Sequence, residues 1–478
     1  MSKEKNSAGI KTKKAEDISE WYSEVVQKAE LADYSQIKGF MIIRPNAYVI
    51  WEKIQNYFDK VIKSKGVKNA YFPLLIPESF FKKEAEHAEG FAPELAWIEK
   101  SKDEEDGERL AIRPTSETIM YDSYSKWIRS WRDLPLKINQ WCNVLRWEVK
   151  QTRPFLRTRE FLWQEGHCVY ETEKECDKEV LDILNEYRKV CEEMLAIPVI
   201  LGRKTNSEKF AGAYYTTTVE SLMPDGRALQ MGTSHNLGKG FAKAFGIKFL
   251  DKNEKEQIPW QSSWGMSTRL IGSLILTHGD DKGLVLPPKV AEKKIVIVPI
   301  IFKEKNTKIA KKADEINKKL SEFSSFVDSR EEYSAGWKFN EWEMKGIPIR
   351  IEIGPRDVEK KQVVLVRRDS GKKEIVKESQ LMKKVPKVLD DIQKSLFKKA
   401  KKFLDENTVE AKNYEDFKKK IADRKLVGIY FCEDEKLESK IKEETGATSR
   451  CIPFNQKTLG KCILTGKPSK KVLFARAY

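Results

Sequence analysis

The sequence predicts a multidomain α/β chain of α+β type, and three observations carry that reading. At 478 residues the chain exceeds what one hydrophobic core supports and corresponds to roughly three units of the usual domain size. Between Val144 and His167, VLRWEVKQTRPFLRTREFLWQEGH holds two alternating charged and aromatic runs split by a Pro-containing turn, the pattern of a hairpin with a cationic face. Beyond Leu284, buried-strand and amphipathic-helix patterns alternate, as they do in a compact α/β module.

Bulk composition narrows the function classes. Eighty-nine Lys and Arg against 73 Asp and Glu leave a net charge of +16, which favours a polyanionic partner through counterion release. Seven cysteines at irregular spacing, no signal peptide and no apolar run long enough for a bilayer place the chain in a reducing cytoplasm, away from membranes. Residues 1–18 are polar and lysine-rich and are expected to form a disordered basic tail.

The elements follow in order. Ser19 to Ala32 reads as an amphipathic helix, and NAYVIWEKIQNYFDKVIKS as a second, with Tyr48, Trp51, Ile54, Phe58, Val61 and Ile62 at helical spacing. An apolar strand, NAYFPLLIPES, comes next, its Pro73 arguing for an edge position. Lys100 to Glu108 is a charged hairpin loop leading to LAIRPTSETIMYDSY. There Thr115 and Glu117 offer a hydroxyl and a carboxylate that suit an ammonium group, although T-S-E before an apolar run also fits a helix capping box. The two roles are compatible.

In the hairpin, strand periodicity puts Arg146 and Glu148 on one side of the first strand, and Arg159, Phe161, Trp163, Glu165 and His167 on one side of the second. Guanidinium forks match phosphate oxygens, and a neighbouring aromatic ring offers a base a stacking surface. A solvated, salt-bridged hairpin is the plain alternative, but it has no need of four aromatics. Lys174 to Ala196 is an amphipathic helix. Arg269 opens a further helix at SSWGMSTRLIGSLILTHGDDKG, where a positive charge is otherwise unfavourable, so a functional cause is expected. His278, Asp280 and Asp281, at its end, read as structural. LVLPPKVAEKK marks a domain boundary.

The R-x-E of Arg146 and Glu148, the loop TRPFLRTREF and the following LWQEGH resemble motif 2 of a class II aminoacyl-tRNA synthetase, specifically the prolyl-tRNA synthetase family of the archaeal and eukaryote-like type. The similarity runs from about Ser19 to Tyr478. It implies an antiparallel-sheet catalytic domain over 19–287, an anticodon-binding domain over 288–402 and a small α/β C-terminal domain over 403–478. The helix and Pro73 strand resemble motif 1, which implies a homodimer, although Ala47 replaces the family's glycine.

The resemblance also implies roles. Arg146 would bridge the substrate carboxylate and the ATP α-phosphate, Glu148 and Arg157 would contact the nucleotide, and Phe161 would stack on adenine. Thr115 and Glu117 would hold the proline amino group, while Trp163, Glu165, His167 and Phe210 would shape the pocket. Gln230, Thr233 and His235 match the family's QxxTSHxLG segment. Ser263 and Gly265 would approach the substrate by backbone, and Arg269, in motif 3, would bind the γ-phosphate. Phe339, Glu343, Arg350, Arg356 and Asp357 would read anticodon bases of tRNA(Pro), and the terminal Tyr478 would tuck toward the catalytic domain.

The implied reaction is activation of L-proline by ATP, with Mg²⁺, followed by transfer to tRNA. Only about 110 residues separate motifs 2 and 3, too few for an inserted editing domain on top of the elements read there, so misactivated alanine is expected to go uncorrected. A non-catalytic RNA-binding or regulatory paralogue is the competing reading, and its signature would be loss of Arg146, Arg269, Thr115 or Glu117. All four are present. In the C-terminal domain Cys432 and Cys462 match two of the family's four zinc ligands, but Leu437 and Thr465 stand at the other two positions. Cys451 lies in another segment, so no zinc is expected.

Overall fold

The computed structural model describes residues 9–85, 94–99, 107–301, 307–456 and 459–478. Most of the expected hairpin loop, residues 100–106, lies outside them, as do residues 1–8. Among the described residues a twelve-stranded sheet forms the backbone of the molecule. Its catalytic part runs through the strands Lys68–Asn69, Leu136–Leu145, Glu160–Tyr170, Trp260–Ser267, Arg227–Gly238, Tyr215–Leu222 and Ile200–Arg203, antiparallel except at the Lys68–Asn69 edge. The helices Pro45–Ser64, Glu173–Lys189 and Arg269–His278 bury their apolar stripes in the core on one face of this sheet. Pro at its first turn starts the Pro45–Ser64 helix, and a Thr172/Glu175 capping box starts Glu173–Lys189.

Close packing on that face explains Gly166. A Cβ there would meet the Trp264 ring at 2.2 Å, so only glycine lets the indole lie flat against the strand. Trp264 in turn meets Phe58 edge-on at 6.1 Å. On the opposite face Ile138, Val169 and Leu237 pack with Tyr121, Tyr124 and Phe241 in a second, smaller core.

Residues 295–377 form a separate five-stranded sheet in the order Ser325–Val327, Ile295–Pro299, Ile349–Ile353, Gln362–Arg367, Lys373–Lys377, parallel on the first side and antiparallel on the second. Helices Thr307–Leu320 and Leu381–Asn407 close its core.

Several expectations need correction. The tail is docked from Ile10 onward: Ile10 packs on the catalytic core, and Lys14 Nζ donates to the carbonyls of Leu276 and Gly279 at 2.6 and 2.7 Å. Those are orphan carbonyls at a helix end, which attract a cation. The first helix spans Ile18–Lys28, short of Ala32. The single strand expected over NAYFPLLIPES is two short ones, Lys68–Asn69 and Leu75–Pro77, in different sheets. Lys174 to Ala196 ends in a π-helical turn, Val190–Met194.

The 402/403 boundary falls inside the continuous Leu381–Asn407 helix. Moreover, the C-terminal strands do not stand apart. Ala447–Pro453 pairs antiparallel with Ile200–Arg203, and Pro468–Ala477 pairs with the start of Arg227–Gly238, so the module extends the catalytic sheet. Gly202 permits the join, since a Cβ there would meet the Ile452 carbonyl at 2.5 Å.

Candidate active site

Period-2 alternation on four strands and their register assemble the site. His167, Ser263, His235 and Thr216 face one another in one row across the sheet, and Glu165, Gly265, Thr233 and Thr218 in the next. All of them except Thr218 line a cavity of about 550 Å³. Every residue expected at the proline and nucleotide subsites lines it, Arg146, Glu148, Arg157, Phe161, Gln230 and Arg269 included. Arg146 and Glu148 sit just past the end of Leu136–Leu145 and not on the strand, because the chain turns there, with the Val149 N–H donating to the Arg146 carbonyl at 3.4 Å.

The Arg146 guanidinium is held over Phe161 and Trp163, 5.3 and 5.5 Å from their ring centres. Arg269 is fixed from behind by the carbonyls of Leu156 (Nε, 3.1 Å) and Gln230 (Nη1, 3.3 Å). Burial and the neighbouring Arg146 charge lower its pKa to about 10. Two buried or half-buried guanidiniums with unspent donors make a site for a multiply charged anion.

Deeper in, the charges change sign. Thr115 Oγ1 donates to Glu117, and Ser116 Oγ donates to Glu165 Oε1 at 2.5 Å. No capping box forms at the helix Glu117–Trp127: Ser116 is the N-cap residue, its hydroxyl is committed to Glu165, and Thr115 serves Glu117. His167 Nε2 lies 3.1 Å from Glu165 Oε2, and Tyr121 Oη 3.0 Å from His167 Nδ1. Burial would raise Glu165, but His167 and the Ser116 hydrogen bonds win and hold it at about 2. Burial depresses His167, yet the hydrogen bond to Glu165 and the carboxylates at 165 and 117 leave its pKa raised. Glu117 is raised by burial despite the pull of His167. His235 is pushed down to about 3 by burial, so its ring is neutral and packs 5.0 Å from Phe210.

Glu117, Glu165 and His167 are the one group of three metal-ligating side chains within mutual reach among the described residues. Glu165 Oε2 is already engaged by His167 and the Ser116 amide (3.0 Å), so the trio suits an ammonium better than a metal. Two cavity residues, Glu208 and Thr216, were not legible beforehand. Tyr478 reaches the cavity from the C-terminus, in line with the resemblance, and is bonded to Asp225 and Arg153.

The five anticodon candidates divide. Arg350 lies over Phe339 at 4.3 Å and pairs with Glu343 (3.0 Å) and Glu352 (2.9 Å), so its guanidinium is largely spent on carboxylates. Asp357 caps the Gly354 amide at 2.9 Å, while Arg356 is exposed beside it on Pro355–Glu359. His278, Asp280 and Asp281 are structural: His278 bonds the Leu195 carbonyl, Asp280 pairs with Arg368, and Asp281 accepts the Lys14 amide. In the C-terminal module Thr465 Oγ1 donates to Cys432 Sγ at 3.7 Å, and Cys451 is buried elsewhere, against Gly202.

An antiparallel sheet floored with substrate-facing polar rows, a motif 2 arginine and a helix-start arginine converging on one cavity define a class II tRNA synthetase core. Residues 97–278 match the family described as tRNA synthetase class II core domain (G, H, P, S and T), and residues 294–388 match Anticodon binding domain. Residues 414–478 match Prolyl-tRNA synthetase, C-terminal. The chain is 52% identical to "Proline--tRNA ligase" of Natranaerobius thermophilus over 472 residues and 53% identical to that of Rubrobacter xylanophilus over 470. It is 52% identical to "Proline--tRNA ligase 2" of Bacillus cereus over 471 residues; each match covers 98% of both chains. The chain belongs to the prolyl-tRNA synthetase family.

Proposed function

We propose that the protein activates L-proline with ATP and transfers the prolyl group to the 3′ end of tRNA(Pro). The carrying observation is that Arg146 and Arg269 converge on a cavity whose deep end is acidic. The ammonium of proline enters between Thr115, Glu117 and Glu165, with Trp163, His167, His235 and Phe210 around the ring. Its carboxylate then points to Arg146. A carboxylate oxygen attacks the ATP α-phosphorus, the bond to the β-phosphate breaks, and pyrophosphate leaves. The terminal ribose hydroxyl of tRNA next attacks the prolyl carbonyl and releases AMP. No side chain forms a covalent intermediate, so catalysis is alignment and charge stabilisation by the two arginines.

Phe161 stacks the adenine and Gln230 and Thr233 border the nucleotide in this reading. Glu148 and Glu208 line the cavity and are hard oxygen donors of the kind that suit Mg²⁺. Mg²⁺ bound with ATP supplies countercharge to the phosphates. The two-thiol Cys432/Cys462 site lacks the donors for structural zinc.

Exposed Tyr34, Ile37, Ile42, Tyr48, Tyr71 and Leu75, all within residues 34–75, are apolar surface that a homodimer contact would cover. All seven cysteines are free and no helix among the described residues is long and apolar enough to cross a membrane; both fit a cytoplasmic enzyme. The stretch between Glu160–Tyr170 and Trp260–Ser267 is taken up by the helix and sheet strands, which supports activation without editing. Replacing Arg146 by Ala is expected to reduce proline-dependent pyrophosphate exchange by about 10³-fold or more, and retained exchange would sink the reading.

A further inference from the structure

The loop from Lys204 to Phe210 leaves the strand Ile200–Arg203 and carries Glu208 and Phe210 into the cavity. Its turn is built on Thr205, whose carbonyl accepts from the amides of Glu208 (3.2 Å) and Lys209 (3.0 Å). Thr205 itself is fully buried and is not among the residues that line the cavity. Its hydroxyl meets Ser449 Oγ at 2.8 Å and Glu438 Oε2 at 3.2 Å, while Ser449 Oγ donates to the same Glu438 oxygen at 3.0 Å. Glu438 lies on the helix Glu435–Thr445 and Ser449 on Ala447–Pro453, so both belong to the C-terminal module.

The preceding residue is linked to the same module through one shared carboxylate, Glu220 of the strand Tyr215–Leu222. Lys204 Nζ pairs with Glu220 Oε1 at 2.8 Å, and Arg450 reaches Glu220 Oε2 through Nε and Nη2 at 3.1 and 3.0 Å. All three side chains are buried. Thr205 is therefore tied directly to residues more than 200 positions away, and Lys204 is linked to Arg450 through the Glu220 they share; buried polar contacts of this kind leave little slack. At its far end the loop is fixed within the catalytic domain, where the Phe210 amide donates to Thr216 Oγ1 at 2.9 Å.

We infer that the C-terminal module sets the shape of the amino-acid pocket by clamping this loop, with Glu438 and Ser449 as positioning residues for Phe210. The inference rests on the proposed proline activation. It gives the module a task that needs no metal, and it predicts a selective effect. Loosening the clamp lets Phe210 drift from the ring pocket while Arg146, Arg269 and the adenine platform, carried on a separate hairpin and a helix, stay in place.

The test is steady-state pyrophosphate exchange with Glu438→Ala, Ser449→Ala and the Thr205→Val/Ser449→Ala pair. The expected outcome is a KM for proline raised about tenfold, the equivalent of one lost buried hydrogen-bonded contact, with the KM for ATP unchanged. Glu438→Gln, which keeps an oxygen acceptor in place, should restore the proline KM. If the alanine variants keep the proline KM of the wild type, or raise both KM values together, the clamp is refuted. Should Glu438→Ala fail to fold, Ser449→Ala and the pair, which remove only hydroxyl contacts, decide by the same two readouts. A wild-type protein without proline-dependent exchange would overturn both this inference and the proposed activity, whereas normal wild-type exchange with unaffected variants would overturn the clamp alone.

Discussion

Residues 408–477 join the catalytic domain through main-chain ladders, whereas residues 295–377 keep a sheet of their own and meet it through side chains and a short seam. The C-terminal strands continue the catalytic sheet at Ile200–Arg203 and Arg227–Gly238, and the Lys204–Glu220–Arg450 cluster is sealed beneath that join. The anticodon-binding module is attached by the Arg368–Asp280 pair at 2.6 Å and by the amides of Leu284 and Leu286 on the carbonyls of Met344 and Gly346. Gln393 adds contacts to the carbonyls of Glu193 and Met194. A sheet cannot shear without breaking several backbone hydrogen bonds together, while a seam of scattered side-chain contacts and two main-chain bonds yields piecemeal. The first module is thus part of the catalytic body, and the second is a separable reader.

The largest effect expected from breaking this contrast is on the sealed side. Glu220→Leu would leave Lys204 and Arg450 buried without their anion, at a cost of about 3–5 kcal/mol. Thermal unfolding should fall sharply and the catalytic and C-terminal parts should melt together; separate transitions would contradict the shared body.

Proton linkage gives the next. Glu165, held at about 2 against an ordinary 4.5, contributes stability that is complete above 4.5 and is lost as the pH falls toward 2. Glu117 behaves in the opposite sense, its pKa raised by burial, and a bound ammonium would lower it. Proline affinity should therefore rise with pH until the raised value is passed and then level off. Calorimetric titration from the ordinary value of 4.5 upward checks this, and an affinity that does not change with pH anywhere above it would contradict the assignment of Glu117 to the ammonium.

The smallest effect belongs to the seam. Asp280 is 39% exposed in its pair with Arg368, so Arg368→Ala should cost about 1 kcal/mol. It should leave pyrophosphate exchange intact and lower only the rate of tRNA charging. An equal loss in both assays would mean that the anticodon-binding module, too, is rigidly coupled to the catalytic centre.

The site was legible to the extent that its chemistry is local. Period-2 alternation in FLWQEGH already put Phe161, Trp163, Glu165 and His167 on one side, and the strands confirm that facing. Glu208 and Thr216 escaped notice because each sits in a polar stretch with no periodic signal. The capping reading at Thr115 failed because a buried carboxylate from residue 165 competes for the Ser116 hydroxyl. Arg350 looked like a free reader of bases until Glu343 and Glu352 closed on it.

By itself the sequence determined which residues share a strand face, where the helices begin, and that a cationic and an acidic group of side chains coexist in one domain. Alternation and capping act over a few residues and survive in one dimension. Tertiary structure alone decided that the last strands complete the catalytic sheet, that Thr205 is held from residues 438 and 449, and that Lys14 closes a helix end 262 positions away. Pairings at such separation depend on which surfaces meet after the chain has collapsed, and no local pattern encodes them.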